Sequence, residues 1–338
     1  MTDTSMDKPT GVRVEARVVP FPRSISAEAR AALAKFVKPD STLRPLLSNP
    51  APDDKAGWAT VRAENEKMMM GMMADRFAHL TAGVETVEIA GVTVHVGTPA
   101  TLPADTSKRA YIDIHGGALV FGNGVPCRAG AQVAAQRHGV TVYAVDYRMP
   151  PEHPYPAALD DCLAVYQAVL EHHAAADVII GGASAGGNLA AALMLRARDK
   201  GLPLPAAVVL ITPELDLTES GDSFEVNRTV DVVLQGSLAD SNALYAAGCN
   251  LADPYLSPLF GDFTRGFPAT FLQAGTRDLF LSNAVRMHRA LRKANVPVEL
   301  HIFEGMPHGG FQGAPEDAEL AAEVDRFVAA HWGCKTAS

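Results

Sequence analysis

Asp177-Val178-Ile179-Ile180-Gly181 runs into Gly182-Ala183-Ser184-Ala185-Gly186, and Asn188-Leu189-Ala190-Ala191-Ala192-Leu193-Met194 follows. The first stretch is a short apolar run of strand composition, and the last is an Ala/Leu-rich helix former. The residues between them therefore predict a strand, a tight turn and a helix with a serine at the bend. A serine held on such a turn projects its hydroxyl away from the backbone, and small neighbours let a base and a substrate come close. The five-residue pattern alone arises by chance in roughly one chain of this length in ten, so its strand and helix context carries the weight.

A serine nucleophile needs a base for its proton, an acid to orient that base, and donors for the oxyanion. Pro297 to Phe303 alternates like a strand, and Glu304-Gly305-Met306-Pro307-His308-Gly309-Gly310-Phe311 follows it as a glycine-rich loop. This makes His308 the expected base. Among the other histidines, His301 belongs to the strand itself, while His172, His173 and His288 fall on expected helices as solvent-facing residues. Pro268 to Gly275 is an apolar, strand-like run ending in Thr276-Arg277-Asp278, which puts Asp278 at the carboxyl edge of a sheet, where open α/β folds gather their functional groups. The rivals Asp216, Asp253 and Asp262 lie in irregular polar sequence and suit turns or caps. Arg109 to Ile114 is a further strand followed at once by His115-Gly116-Gly117-Ala118. Glycines let backbone N–H groups turn toward a substrate carbonyl, so the expected oxyanion donors are the amides of Gly116, Gly117 and Ala185.

With these parts in place the chain resembles the hormone-sensitive-lipase-like (bacterial family IV) esterases of the α/β-hydrolase superfamily, from about Val84 to the C-terminus. The matching residues are His115-Gly116-Gly117, then Asp146-Tyr147-Arg148 with the Pro-rich stretch Pro151 to Asp161, Gly182 to Asn188, Asp278 and His308. Ala118 departs from the resemblance, standing where the family usually has a third glycine. Alanine resists positive φ by about 1 kcal/mol relative to glycine, so a slightly reshaped loop and a narrower pocket are expected there. The resemblance gives Asp146, Arg148 and His153 a scaffolding role. It also implies a helical cap over the serine, built from residues 1–82 and 214–255, on a catalytic core of 83–213 and 256–338. Pairing of two chains through the last strand and helix is a further implication.

Strands are expected at Val84 to Ile89 and Val92 to Val96 as an opening hairpin. Others are expected near 109–114, 140–146, 177–181, 206–212, 268–274 and 297–303. Helices are expected between most of them and at 316–332, which is the pattern of a mostly parallel sheet covered on both faces. Within the expected cap, Ser26 to Val37 and Trp58 to Leu80 read as helices, separated by a Pro-rich linker around Pro45 to Pro52. Met68-Met69-Met70-Gly71-Met72-Met73 is an unusual cluster. Methionine adapts to irregular apolar shapes, so Met69 and Met73, with Ala118, are the candidates for a pliant substrate wall.

Composition excludes several classes of function. With 48% hydrophobic residues over 338 positions the chain can bury a large core, and it contains no apolar run of membrane-spanning length. Its polar, acidic start, Met1 to Asp7, lacks the basic and apolar segments of a secretory signal, so a cytoplasmic enzyme is expected. A net charge of −9 argues against nucleic acid and anionic membranes as partners. Cys127, Cys162, Cys249 and Cys334 are widely spaced and read as reduced thiols with no metal pattern. No nucleotide-binding signature appears, so no cofactor is expected. Asp160-Asp161 reads as a first-turn acidic pair favoured by a helix dipole.

The expected activity is hydrolysis of small, uncharged, short- to medium-chain acyl esters through Ser184, His308 and Asp278 and an acyl-enzyme. The first alternative keeps this chemistry but opens a lactone, because Gly275 to Ser282 and the Met306 to Phe311 loop resemble bacterial monoterpene lactone hydrolases. Cleavage of amides by the same triad and a noncatalytic ligand-binding protein of the same fold are the remaining alternatives.

Overall fold

The computed structural model describes residues 11–332 apart from 45–48, 52, 78 and 105, with the side chains of 72–77 also outside the description. An eight-stranded sheet forms its centre. The strands are β1 (Gly83–Ile89), β2 (Val92–Thr98), β3 (Ala110–Ile114), β4 (Thr141–Val145), β5 (Val178–Ala183), β6 (Ala207–Ile211), β7 (Ala269–Gly275) and β8 (Val298–Phe303). They lie in the order β1-β2-β4-β3-β5-β6-β7-β8. The β1–β2 hairpin and the β2–β4 pair are antiparallel, and every pair from β4 through to β8 is parallel.

Strands buried on both faces need apolar residues at consecutive positions, and β5 shows why the run Val178-Ile179-Ile180 was so informative. Successive side chains point to opposite faces. Val178 and Ile180 join Ile112, Val208, Leu210 and Leu272 on one side, against α4 (Ala157–Leu170), α5 (Ala185–Asp199) and α8 (Leu281–Lys293). Ile179 joins Tyr111, Val142, Val209 and Phe271 on the other, against α3 (Val125–His138) and α9 (Pro315–His331). Helix α5 is apolar almost all round and buries nearly its whole length, as a helix packed against neighbours on most sides must.

Outside the sheet lie α1 (Ala27–Ala34), α2 (Lys55–Phe77), α6 (Ser223–Val226) and α7 (Ala239–Ala246). Ser26 caps α1 by accepting a hydrogen bond from the Ala29 N–H at 3.0 Å, while its own N–H and hydroxyl donate to Glu316 on α9. Ile25, Ala29 and Leu33 then pack with Val232, Met306 and Phe311. The amide of Asn49 donates to Ser241 at 3.2 Å, and Trp58 on α2 packs with Leu244 on α7 and Val120. The N-terminal segment thus meets both the 214–255 segment and the loop after β8. The expected linker around Pro45 to Pro52 falls largely outside the described residues, as do Met1 to Asp7 and Cys334.

Two expectations are corrected. Helix α4 ends at Leu170, so His172 and His173 lie beyond it; the His173 ring meets the Lys108 carbonyl at 2.8 Å and Tyr143 edge-on. Asp161 is also not a first-turn acid, a place that Asp160 alone holds. It is buried and accepts from the Arg148 N–H at 2.9 Å and from its guanidinium at 2.6 Å, tying the loop after β4 to α4. Asp160 alone faces outward, paired with Arg196 at 2.5 Å. Among the described residues, no helix is long and apolar enough to cross a membrane.

Candidate active site

The bend at Ser184 is enforced by its glycines. Ser184 sits at φ 56°, a region that costs an ordinary residue free energy and so tends to persist only where the surroundings demand it. A Cβ at Gly182 would lie 2.2 Å from the Gly186 carbonyl oxygen, and one at Gly186 would lie 1.9 Å from that of Ile114. Both contacts are with backbone, so neither position can carry a side chain without moving the turn. The Ser184 N–H donates to the Ile211 carbonyl at 2.9 Å. Its carbonyl accepts from Gly187 at 3.0 Å and Glu214 at 3.1 Å, which fixes the serine against β6 and the first turn of α5.

The fold brings the three side chains named from the sequence into one line. His308 Nε2 is 3.0 Å from Ser184 Oγ, and His308 Nδ1 is 3.2 Å from Asp278 Oδ1. Asp278 follows the end of β7 and His308 follows the end of β8, so both reach Ser184 across the carboxyl edge of adjacent parallel strands. Asp278 is fully buried, and its Oδ1 also accepts from the Phe280 N–H at 2.9 Å. Phe280 meets the His308 ring edge-on at 4.9 Å. Burial alone would lower the pKa of His308. The charge and hydrogen bond of Asp278, reinforced by the charges of Asp231 and Glu214, outweigh it and hold the pKa above its ordinary value.

Asp231 and Glu214 are the acids that sequence reasoning missed. Asp231 Oδ2 accepts from the Leu279 N–H at 2.8 Å and the His308 N–H at 3.3 Å, and its Oδ1 accepts from Val233 and Leu234. It therefore clamps the Asp278 loop to the His308 loop, and burial together with the nearby Asp278 charge pushes its pKa up. Asn227 adds hydrogen bonds to the carbonyls of Asp278 and Thr276, at 2.8 and 3.2 Å. Glu214, three residues past β6, is fully buried. Neither of its carboxylate oxygens makes a hydrogen bond of good geometry, although Asn242 lies beside it. Burial pushes its pKa up to about 7.

The rival aspartates bond elsewhere, Asp253 and Asp262 within their own turns and Asp216 also to α8. Asp216 accepts from Thr218 and Ser220 and pairs with Arg286, Asp253 accepts from the Tyr255 N–H, and Asp262 caps the single turn at Phe263–Arg265. His301 lies on β8, stacked on Phe271 and paired with Glu299.

The loop after β3 lies directly against Ser184. A Cβ at Gly116 would sit 3.3 Å from that of Ser184 and 2.8 Å from the Ala183 carbonyl oxygen, while one at Gly117, at φ 125°, would meet the Phe121 carbonyl oxygen at 2.2 Å. The turn closes through Val120 and Phe121, whose N–H groups donate to the Gly117 carbonyl. Ala118 does not reshape this loop by avoiding positive φ. It adopts φ 51°, Leu119 follows at φ 62°, and complete burial of Leu119, worth about 1.5–3 kcal/mol, offsets strain of that order. His115 supports the loop from beneath: its ring stacks on Tyr147 at 4.0 Å, and Nδ1 is 2.8 Å from the Gly116 carbonyl. Burial lowers its pKa to about 4, so the ring is neutral at pH 7.

Ala118 packs with Trp58, Val120 and Leu244 at the junction of the loop with α2 and α7. Met69 is half-buried on α2 and joins none of the buried apolar clusters among the described residues, and the Met73 side chain lies outside them.

Proteins similar to this chain include esterases and an acetyl-hydrolase. Residues 111–312 match the model of a family described as having the alpha/beta hydrolase fold. An esterase of Acinetobacter venetianus is 32% identical over 255 residues, covering 73% of this chain and 82% of that one. An acetyl-hydrolase of Streptomyces hygroscopicus is 32% identical, over 74% of this chain and 84% of that one. The crystal structure of an esterase, E25, superposes with a TM-score of 0.85 at 35% identity, over 96% of this chain and all of that one. An esterase from the bacterial hormone-sensitive lipase family superposes with a TM-score of 0.75 at 28% identity, over 91% of this chain and 99% of that one. The chain belongs to the hormone-sensitive-lipase-like esterases of the α/β-hydrolase fold. It is a carboxylic ester hydrolase.

Proposed function

We propose that Ser184 is the nucleophile, His308 the general base and Asp278 the orienting acid for hydrolysis of small, uncharged, short- to medium-chain acyl esters. The observation that carries this is the continuous line from Ser184 Oγ through His308 to buried Asp278, at 3.0 and 3.2 Å. His308 Nε2 takes the serine proton as Oγ attacks the ester carbonyl, and Asp278 stabilises the imidazolium that forms. The amides of Gly116, Gly117 and Ala185 receive the oxyanion. His308 then protonates the leaving alcohol, and water repeats the sequence on the acyl-enzyme. Asp231 holds the acid and base loops in register.

Residues 1–82 and 214–255 form the cap in this reading, supported by the contacts of α1 with Val232 and of Trp58 with Leu244. Met69, Met73 and Ala118 belong to its substrate wall. The name of the acetyl-hydrolase relative supports a short acyl group, and crowding at Ala118 agrees with a compact site. The reading includes a homodimer built on β8, the terminal strand of the sheet, and α9; a single-chain mass by light scattering would remove that part.

The test is release of nitrophenol from p-nitrophenyl acetate, butyrate, octanoate and laurate by the wild type. Turnover falling from butyrate to laurate is expected. Preference for laurate would overturn the size assignment, and turnover of a seven-membered lactone well above that of butyrate would transfer the site to lactones.

A further inference from the structure

Where the loop after β3 ends at Gly124, three side chains from separate elements converge: His95 from β2, Cys127 from the first turn of α3, and Asp146 just past β4. One ligand atom from each lies within 4.8 Å of the other two. His95 and Cys127 are buried, and the Asp146 side chain keeps 14% of its exposure. We propose that His95 Nε2, Cys127 Sγ and an Asp146 carboxylate oxygen form a zinc site.

The geometry of the partners points to a cation. His95 Nε2 is buried 3.3 Å from Asp146 Oδ2 yet makes no hydrogen bond of acceptable geometry. Its other nitrogen, Nδ1, is 2.9 Å from the Thr86 hydroxyl, which can accept the Nδ1 proton and leave the Nε2 lone pair facing the cluster. Ligating histidines are oriented by such an outer partner. Asp146 is likewise fixed, because its Oδ1 accepts from the Gly124 N–H at 3.0 Å while Oδ2 faces His95. Imidazole nitrogen with thiolate sulfur selects zinc over magnesium or calcium, which take oxygen ligands. Zinc displaces the thiol proton to solvent. Its two positive charges then balance one thiolate and one carboxylate, so the occupied site is neutral and tolerates burial. Three protein ligands leave the fourth tetrahedral position to water, which enters beside the part-exposed Asp146.

Occupancy fastens the start of α3 to β2 and β4, and α3 directly follows the loop that carries Gly116 and Gly117. The site is therefore a structural brace, and ester hydrolysis by EDTA-treated protein is expected to persist. No local Cys/His spacing announces it, because the ligands lie 19 to 51 positions apart in the chain.

The test is cobalt(II) titration of EDTA-treated protein, with zinc titration followed by thermal melting. A thiolate-to-cobalt charge-transfer band and intense visible bands should saturate at a single equivalent, and zinc should displace them and raise Tm. Cys249→Ser, which removes an exposed thiol, should retain the band, whereas Cys127→Ser and His95→Ala should lose it. Absence of the band in the wild type, or its persistence in Cys127→Ser, would overturn the proposal and leave a hydrogen-bonded cluster. If Cys127→Ser fails to fold, His95→Ala decides: its band is lost if the site exists and unchanged if it does not.

Discussion

The turn around Ser184 and the segment 214–255 both touch the same histidine, but they are built in opposite ways. The turn is local: Gly182, Ser184, Gly186 and the strand and helix on either side define it within a dozen residues, and backbone collisions rule out side chains at both glycines. The segment is assembled at long range. Asp231 reaches Leu279 and His308 across 48 and 77 positions, and Asn227 reaches Asp278 across 51. Local construction fixes Ser184, the proposed nucleophile, whereas long-range construction sets the electrostatics and orientation of His308 and Asp278.

The largest effect expected on the local side is that of Ser184→Ala, with a kcat loss on the order of 10⁴-fold or more and an unchanged melting temperature. A small loss would mean that another group carries the nucleophile. Asp278→Asn should lower kcat by about 10⁴-fold while leaving the fold intact, since the amide cannot stabilise the imidazolium. Near-wild-type turnover in that variant would transfer the acid role to Asp231.

The long-range side is sharpened by Asp231→Asn and Glu214→Gln. His308 must be neutral to accept the serine proton, so kcat/KM rises as pH passes upward through its pKa. Burial lowers that pKa, and the charges of Asp278, Asp231 and Glu214 raise it to a net increase. Removing either of the last two charges should therefore move the acid limb of the profile to lower pH. The Glu214 shift should be smaller, because its charge raises the His308 pKa less than that of Asp231 does. An unmoved limb in both variants would show that neither acid acts on the base. The smallest effect is expected from the double change Met69→Ala with Met73→Ala, a few-fold change in the butyrate-to-octanoate ratio. A change confined to thermal stability would remove these methionines from the substrate wall.

These contrasts also explain what the sequence could reveal. Strands were legible from a continuous apolar run where both faces are buried, so that expected at 206–212 is found at Ala207–Ile211, and from alternation where they are not, so that expected at 297–303 is found at Val298–Phe303. Asp278 and His308 were legible because each follows such a strand by a few residues. Asp231 was not, since it lies in irregular sequence where nothing local distinguishes a buried clamp from a turn aspartate like Asp253. Glu214 adjoins a strand end, yet only the folded packing reveals that its carboxylate is enclosed. Asp161 misled because a first-turn acid has a ready local explanation, while its actual partner, Arg148, is supplied by the preceding loop. Ala118 was legible as a departure, but its φ of 51° depends on the burial of Leu119, a tertiary effect.

The central claim is that Ser184 becomes covalently acylated because His308 activates it. Its most direct test is to react wild type and His308→Asn with a small alkyl phosphonate that mimics the tetrahedral intermediate, then map the modified peptide by mass spectrometry. The account predicts one adduct per chain, on Ser184, forming rapidly in the wild type and at least about 10²-fold more slowly in the variant. An adduct on another residue, or equal rates in the two proteins, would contradict it.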